Sequence, residues 1–254
     1  MLPKGYFMSV LKNKKIQISA GIFFVLGIIV AVVIIFAGND DTTGNSKSAP
    51  GLKSQEGFTF FDLGVDSELT DNTRDELRDK LGSDAIERRS PLDLTINYKR
   101  FIQQYFKELD ELNKRLNFPP GERVEHNTIK LRYRYAQRKK VPFKYVELIF
   151  SNYTKKPLLF KIASKKEGAF IIDSIRSKHG EPRTINWERE EGRSLYWEKN
   201  KSFLIISILK DRYGDPVYHT VIYFTPNIEA LLSKEEQVAR QREEEIKKKG
   251  KTAF

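Results

Sequence analysis

Three histidines, His126, His179 and His219, are the side chains of this chain best placed to move protons near neutral pH. The pattern around them puts His126 in a loop, His179 at a helix exit and His219 in a strand beside Val217 and Val221. Histidines scattered over separate elements ordinarily serve structure or face water, so neither a metal site nor a general base is read from them. Glu188, Glu190 and Glu191 crowd a hairpin turn beside Gly192. Paired acids do acid–base work when burial raises one pKa, but a glycine turn is wet, and the cluster reads as solvated. Ser174 and Ser207 have no histidine near them in sequence. Phosphate loops, dinucleotide fingerprints, H-E-x-x-H and G-x-S-x-G are all absent. With zero cysteines there is no disulfide and no thiolate metal site, so no cofactor or metal is expected. An exported hydrolase or transferase with an unfamiliar site is the alternative. It requires His219 or a strand carboxylate in a concave pocket with a shifted pKa.

Two features are suited to binding. Lys130, Arg132 and Arg134 alternate with Leu131, Tyr133 and Tyr135, and Arg138, Lys139, Lys140 and Lys144 continue the basic face. Beyond residue 37 the chain holds 41 Lys and Arg against 34 Asp and Glu, a positive field that favours anionic lipid, glycan or nucleic acid. Nucleic acid is the weakest of these, because the tyrosines occupy the strand face opposite the arginines. A lysine-rich sheet also solvates its outer face in this way without binding anything. The second feature is Trp187 with Trp197, on neighbouring strands, with Tyr196 beside them. Aromatic pairs across a hairpin usually close a core, whereas exposed ones stack on sugars or bases or mark an interface. The candidate binding residues are therefore Arg132, Arg134, Lys140, Trp187 and Trp197.

The elements that must position these residues are legible in outline. Thr73 with Glu76 suggests a capping box for a short helix carrying Leu77 and Leu81, closed by Gly82. A longer helix is predicted over 97–118, where Tyr98, Ile102, Tyr105, Leu109, Leu112 and Leu116 repeat at helical spacing, widened by Phe101 and Phe106. Its stripe also suits a short coiled coil, hence self-association, although packing over a sheet explains the width equally well. Strands are predicted at 130–135, 143–150 and 158–163, a helix at 168–178, and strands at 185–188, 194–199, 203–209 and 217–224. Consecutive strands with short turns imply antiparallel sheet, and segregated helices imply an α+β fold over residues 57–226. From Thr225 a charged helical tail (227–254) is predicted. There Glu243, Glu244 and Glu245 each precede a lysine by four residues.

Place is the last reading. The run from Ile16 to Ala37 is uncharged for 22 residues, long enough to cross a hydrocarbon core about 30 Å thick. Lys4, Lys12, Lys14 and Lys15 precede it with no acid, and Asp40 and Asp41 follow. The basic N-terminus (1–15) is thus expected in the cytoplasm and the remainder exported. A cleaved signal has a shorter apolar core and an A-x-A-like site; Ile35 and Ala37 make a poor one, so an uncleaved anchor is preferred. Gly27 and Ala31 offer only a weak helix-pairing motif. Residues 38–56 read as a flexible linker. These features describe a single-pass bacterial inner-membrane protein with a periplasmic or otherwise extracytoplasmic domain. Its expected partners are the bilayer, an envelope protein, and anionic lipid or glycan.

Overall fold

A computed structural model describes residues 57–187 and 192–252. The apolar run at 16–37, the linker and the acidic turn at 188–191 lie outside these residues. Among the described residues no helix is long and apolar enough to cross a membrane.

The chain runs α1 (Asp71–Leu81), β1 (Ala85–Ser90), α2 (Phe101–Tyr105), α3 (Lys107–Leu116), β2 (His126–Tyr133), a 3-10 turn (Ala136–Lys139), β3 (Phe143–Ser151) and β4 (Pro157–Ser164). It continues through α4 (Gly168–His179), β5 (Arg183–Asn186), β6 (Gly192–Lys199), β7 (Ser202–Lys210), β8 (Pro216–Phe224) and α5 (Thr225–Thr252). The strands form one antiparallel sheet in the order β1-β2-β3-β4-β8-β7-β6-β5. The α+β expectation holds. Two four-stranded meanders, separated in sequence by α4, meet at β4 and β8.

Strand alternation sends side chains to two faces, and both are covered. On the first, Leu131, Leu148, Phe160, Leu204 and Ile222 pack under α1, α4 and the segment around Phe58. On the second, Leu159, Phe203, Ile205, Val221 and Tyr223 pack under α2, α3, the first turns of α5 and the stretch holding Leu92 and Leu94. The central strands read as near-continuous apolar runs for this reason.

Two predicted elements change in detail, and one strand is added. The N-cap of α1 is Thr70, whose side chain accepts from the Thr73 amide, so the helix starts one turn earlier than the Thr73 box implies. The single helix over 97–118 is two helices, broken at Phe106 (φ −136°, ψ 72°). Five residues of α-helix turn about 500°, so Phe101 and Phe106 on one straight helix would diverge by about 140°. The break lets both rings enter the core, with Phe106 edge-on to Tyr196 (5.1 Å) and Phe203 (5.7 Å). The stripe of Leu109, Leu112 and Leu116 is buried on the sheet rather than free for a coiled coil. The added strand is β1, an edge strand whose sequence AIERRS carries no apolar alternation. Charge on an edge strand hinders pairing with further strands.

Candidate functional site

The second sheet face holds a cavity of about 360 Å³, open to solvent, between the strands and the stretch 95–97. Register builds its floor. Tyr145 pairs with Ala163, Ala163 with His219 and His219 with Ser207, so one lining row crosses four strands, and Ser194 on β6 continues it beyond the cavity. Lys161 stands one step along β4 on the same face, opposite Val221. Ile96, Leu209 and Val221 supply apolar walls.

The stretch over the cavity is pinned from three sides. Leu94 donates its amide to Asn113 Oδ1 (2.9 Å), and its carbonyl accepts from the buried Tyr223 hydroxyl (2.7 Å). Asp93 caps its own turn, accepting from the Thr95 amide (2.9 Å) and hydroxyl (2.8 Å). Asn97, at φ 63°, donates through Nδ2 to Ser194 Oγ (3.3 Å). Leu92 and Leu94 are fully buried beneath.

Lys161 is half-buried and lines the cavity. Its Nζ donates to the Asp93 carbonyl at 3.3 Å, and among the described residues no carboxylate lies within ion-pair distance of it. Burial lowers its pKa; Glu147, its cross-strand neighbour, and Asp93 oppose this in part, and Lys130 adds a smaller lowering effect. Tyr145 donates its hydroxyl to Glu147 Oε2 (2.8 Å). Its phenol is held well above the usual range by burial first and by Glu147 second. His219 keeps more than a third of its surface in water, yet the crowding strands and then Lys144 depress its pKa. No hydrogen bond to its ring is found among the described residues. Ser207 is 1% exposed, and its Oγ lies 3.1 Å from that of Ser194.

The residues singled out from sequence fall elsewhere. Arg132 and Lys130 point to this face but share one internal carboxylate, Glu87, at 2.7 and 4.0 Å. Arg134 and Lys140 are exposed around the 3-10 turn, where Lys140 takes the left-handed capping position (φ 60°). Tyr135 leaves the strand and stands exposed beneath the Arg138 guanidinium, 4.4 Å from its ring centre. Trp187 and Trp197 are both buried, on opposite faces of the sheet, and so do not form a pair. Trp187 packs on Tyr98 and Phe101 and donates to Ser194 Oγ (3.1 Å), while Trp197 donates to the Gly180 carbonyl closing α4 (2.8 Å). Gly192 is required beside Trp187: a Cβ there would lie 2.4 Å from the indole.

His126 is not in an open loop. It opens β2, 2% exposed, with Nδ1 2.7 Å from Glu235 Oε2 on α5 and Nε2 2.8 Å from the Leu116 carbonyl. With Glu235 ionised both contacts call for an N–H, so the site favours the imidazolium. Burial opposes that charge, but the Glu235 hydrogen bond and charge, with the carbonyl, outweigh it and raise the pKa. Glu235 Oε1 also accepts the Asn127 amide (2.7 Å). His179 shares another open cavity with Trp197 and Lys199, its pKa lowered by burial and by Lys199 and Lys178. The described residues bring no three metal-ligating side chains together.

Lys161 and Ser207 were not singled out as binding residues. The available signal is a lone polar residue inside an apolar strand, LLFKIA and FLIISIL. Ser207 and His219, twelve positions apart, are neighbours only because β7 and β8 pair. No protein-family model, curated protein or solved structure matches this chain.

Proposed function

We propose that the chain is a single-pass protein of a bacterial inner membrane, held by residues 16–37 with its N-terminus cytoplasmic, whose exported domain acts by binding an anionic ligand. One observation carries the binding half: the half-buried Lys161 ammonium stands on a cavity wall with no carboxylate partner among the described residues. A charge partly withdrawn from water with no carboxylate in direct contact is costly, and an anion in the cavity supplies a direct partner. The topology rests on the basic flank before the apolar run and the acidic flank after it.

An envelope protein is the second expected partner. From Glu236 onward α5 is exposed and continues as helix to Thr252, a charged arm about 25 Å long. Crosslinking in native membranes from Ile246, 61% exposed on that arm, should recover one specific protein. Recovery of nothing above background removes the protein-partner half.

A hydrolytic reading has one observation in its favour, the cross-strand placement of His219 beside Ser207 in the cavity. Turnover of ester or amide substrates lost in both Ser207→Ala and His219→Gln would establish it over pure binding.

A further inference from the structure

The hydrogen-bond chain ending at Ser207 has a direction. Trp187 Nε1 and Asn97 Nδ2 both donate to Ser194 Oγ. A hydroxyl oxygen has two lone pairs and one hydrogen, so with both lone pairs engaged Ser194 must donate its own hydrogen to Ser207 Oγ. Ser207 is then an acceptor in that contact, and its O–H is left over. Among the described residues nothing accepts it, although the residue is almost wholly buried and lines the cavity. A buried donor without an acceptor is unfavourable, and a ligand oxygen removes that cost.

The cavity thus presents two donors with hydrogens to spare: the Lys161 ammonium on β4, which spends one of three on the Asp93 carbonyl, and the Ser207 hydroxyl on β7. One strand, β8, separates theirs, so their backbones lie about 10 Å apart across the sheet. Between them β8 supplies Val221 and His219 to the floor, and Ile96 and Leu209 add apolar wall. Resting on the reading of Lys161 as an anion receptor, we infer that the ligand is a small organic acid. Its carboxylate meets Lys161, and a second oxygen acceptor, separated by a short apolar spacer, takes the Ser207 hydrogen. Inorganic phosphate leaves the apolar wall unfilled, and a simple fatty acid leaves Ser207 unpaired. A compact acid with an acceptor at each end meets all three features.

Calorimetric titration of the full-length chain in detergent tests this with adipate, hexanoate, 1,6-hexanediol and inorganic phosphate as probes. Adipate is expected to bind most tightly, and the diol not at all. Lys161→Met should weaken adipate and hexanoate alike by roughly tenfold or more, and Lys161→Arg should restore much of the loss. Ser207→Ala should weaken adipate by about fivefold to tenfold while leaving hexanoate unchanged, a selectivity that mere loss of folding cannot mimic. Equal affinity for adipate and hexanoate, with no effect of Ser207→Ala on either, overturns the two-acceptor ligand. Binding of phosphate alone, abolished by Lys161→Met, also overturns it yet leaves the anion receptor standing. If no anion binds, both fall.

Discussion

The contact between His126 and Glu235 shows how one residue pair ties a tail helix to a sheet. His126 sits at the start of β2 and donates to two acceptors, so its pKa is raised and the folded protein holds its proton more tightly than the unfolded chain. That contribution is full below the unfolded value near 6.5 and fades as pH rises through the higher folded value. His179 and His219, with lowered pKa values, act in the opposite sense and only below 6.5. Urea midpoints followed with pH should therefore fall above about 6.5 in the wild type, and this decline should be much weaker in Glu235→Gln. Identical pH curves would disprove the latch. At neutral pH Glu235→Gln should cost about 1–3 kcal/mol, since the imidazolium and the Asn127 amide lose a charged acceptor. Gly192→Ala addresses a different residue-scale demand. Its new Cβ collides with the Trp187 indole, and a loss of about 1–3 kcal/mol with altered near-ultraviolet dichroism is expected.

Among the elements, the broken helix pair α2–α3 carries the cover of the cavity face. Phe106 sits at the break and touches Tyr196 and Phe203, so Phe106→Ala should cost about 3–5 kcal/mol in chemical denaturation. A loss below 1 kcal/mol would mean that the break positions nothing. How much of this was legible in sequence varied with the signal each element carries. The strands β3, β4, β6, β7 and β8 were found within two residues of their ends, because apolar runs between turn residues are strong local marks. The edge strand β1 was missed because only Ser90 of it is buried. The break at Phe106 was missed because helical spacing continues through it, and only the tertiary demand of two aromatic rings interrupts the helix. The cavity was illegible for a related reason. Its parts come from four strands and one crossing segment: cross-strand register brings Lys161 and Ser207 together, and the crossing segment adds Asn97.

For the whole molecule, the proposal is an anchored receptor: a membrane span at 16–37, a linker, a two-faced α+β domain with one donor-lined cavity, and a projecting charged helix. Alkaline extraction of membranes should leave the full chain in the pellet, and external protease should reach the domain only after the outer envelope is opened. Release by alkali would remove the anchor, and cleavage from the cytoplasmic side would reverse the topology. Ligand affinity should also fall as pH rises through the lowered Lys161 pKa, before an ordinary lysine titrates. The most direct test of the account is the titration of Lys161 itself, followed by the NMR shift of its ε-carbon in selectively labelled protein, with and without adipate. The account predicts a midpoint below the usual lysine value of about 10.4 in the free protein, moving upward when the acid is bound. An ordinary midpoint unchanged by any anion would contradict it.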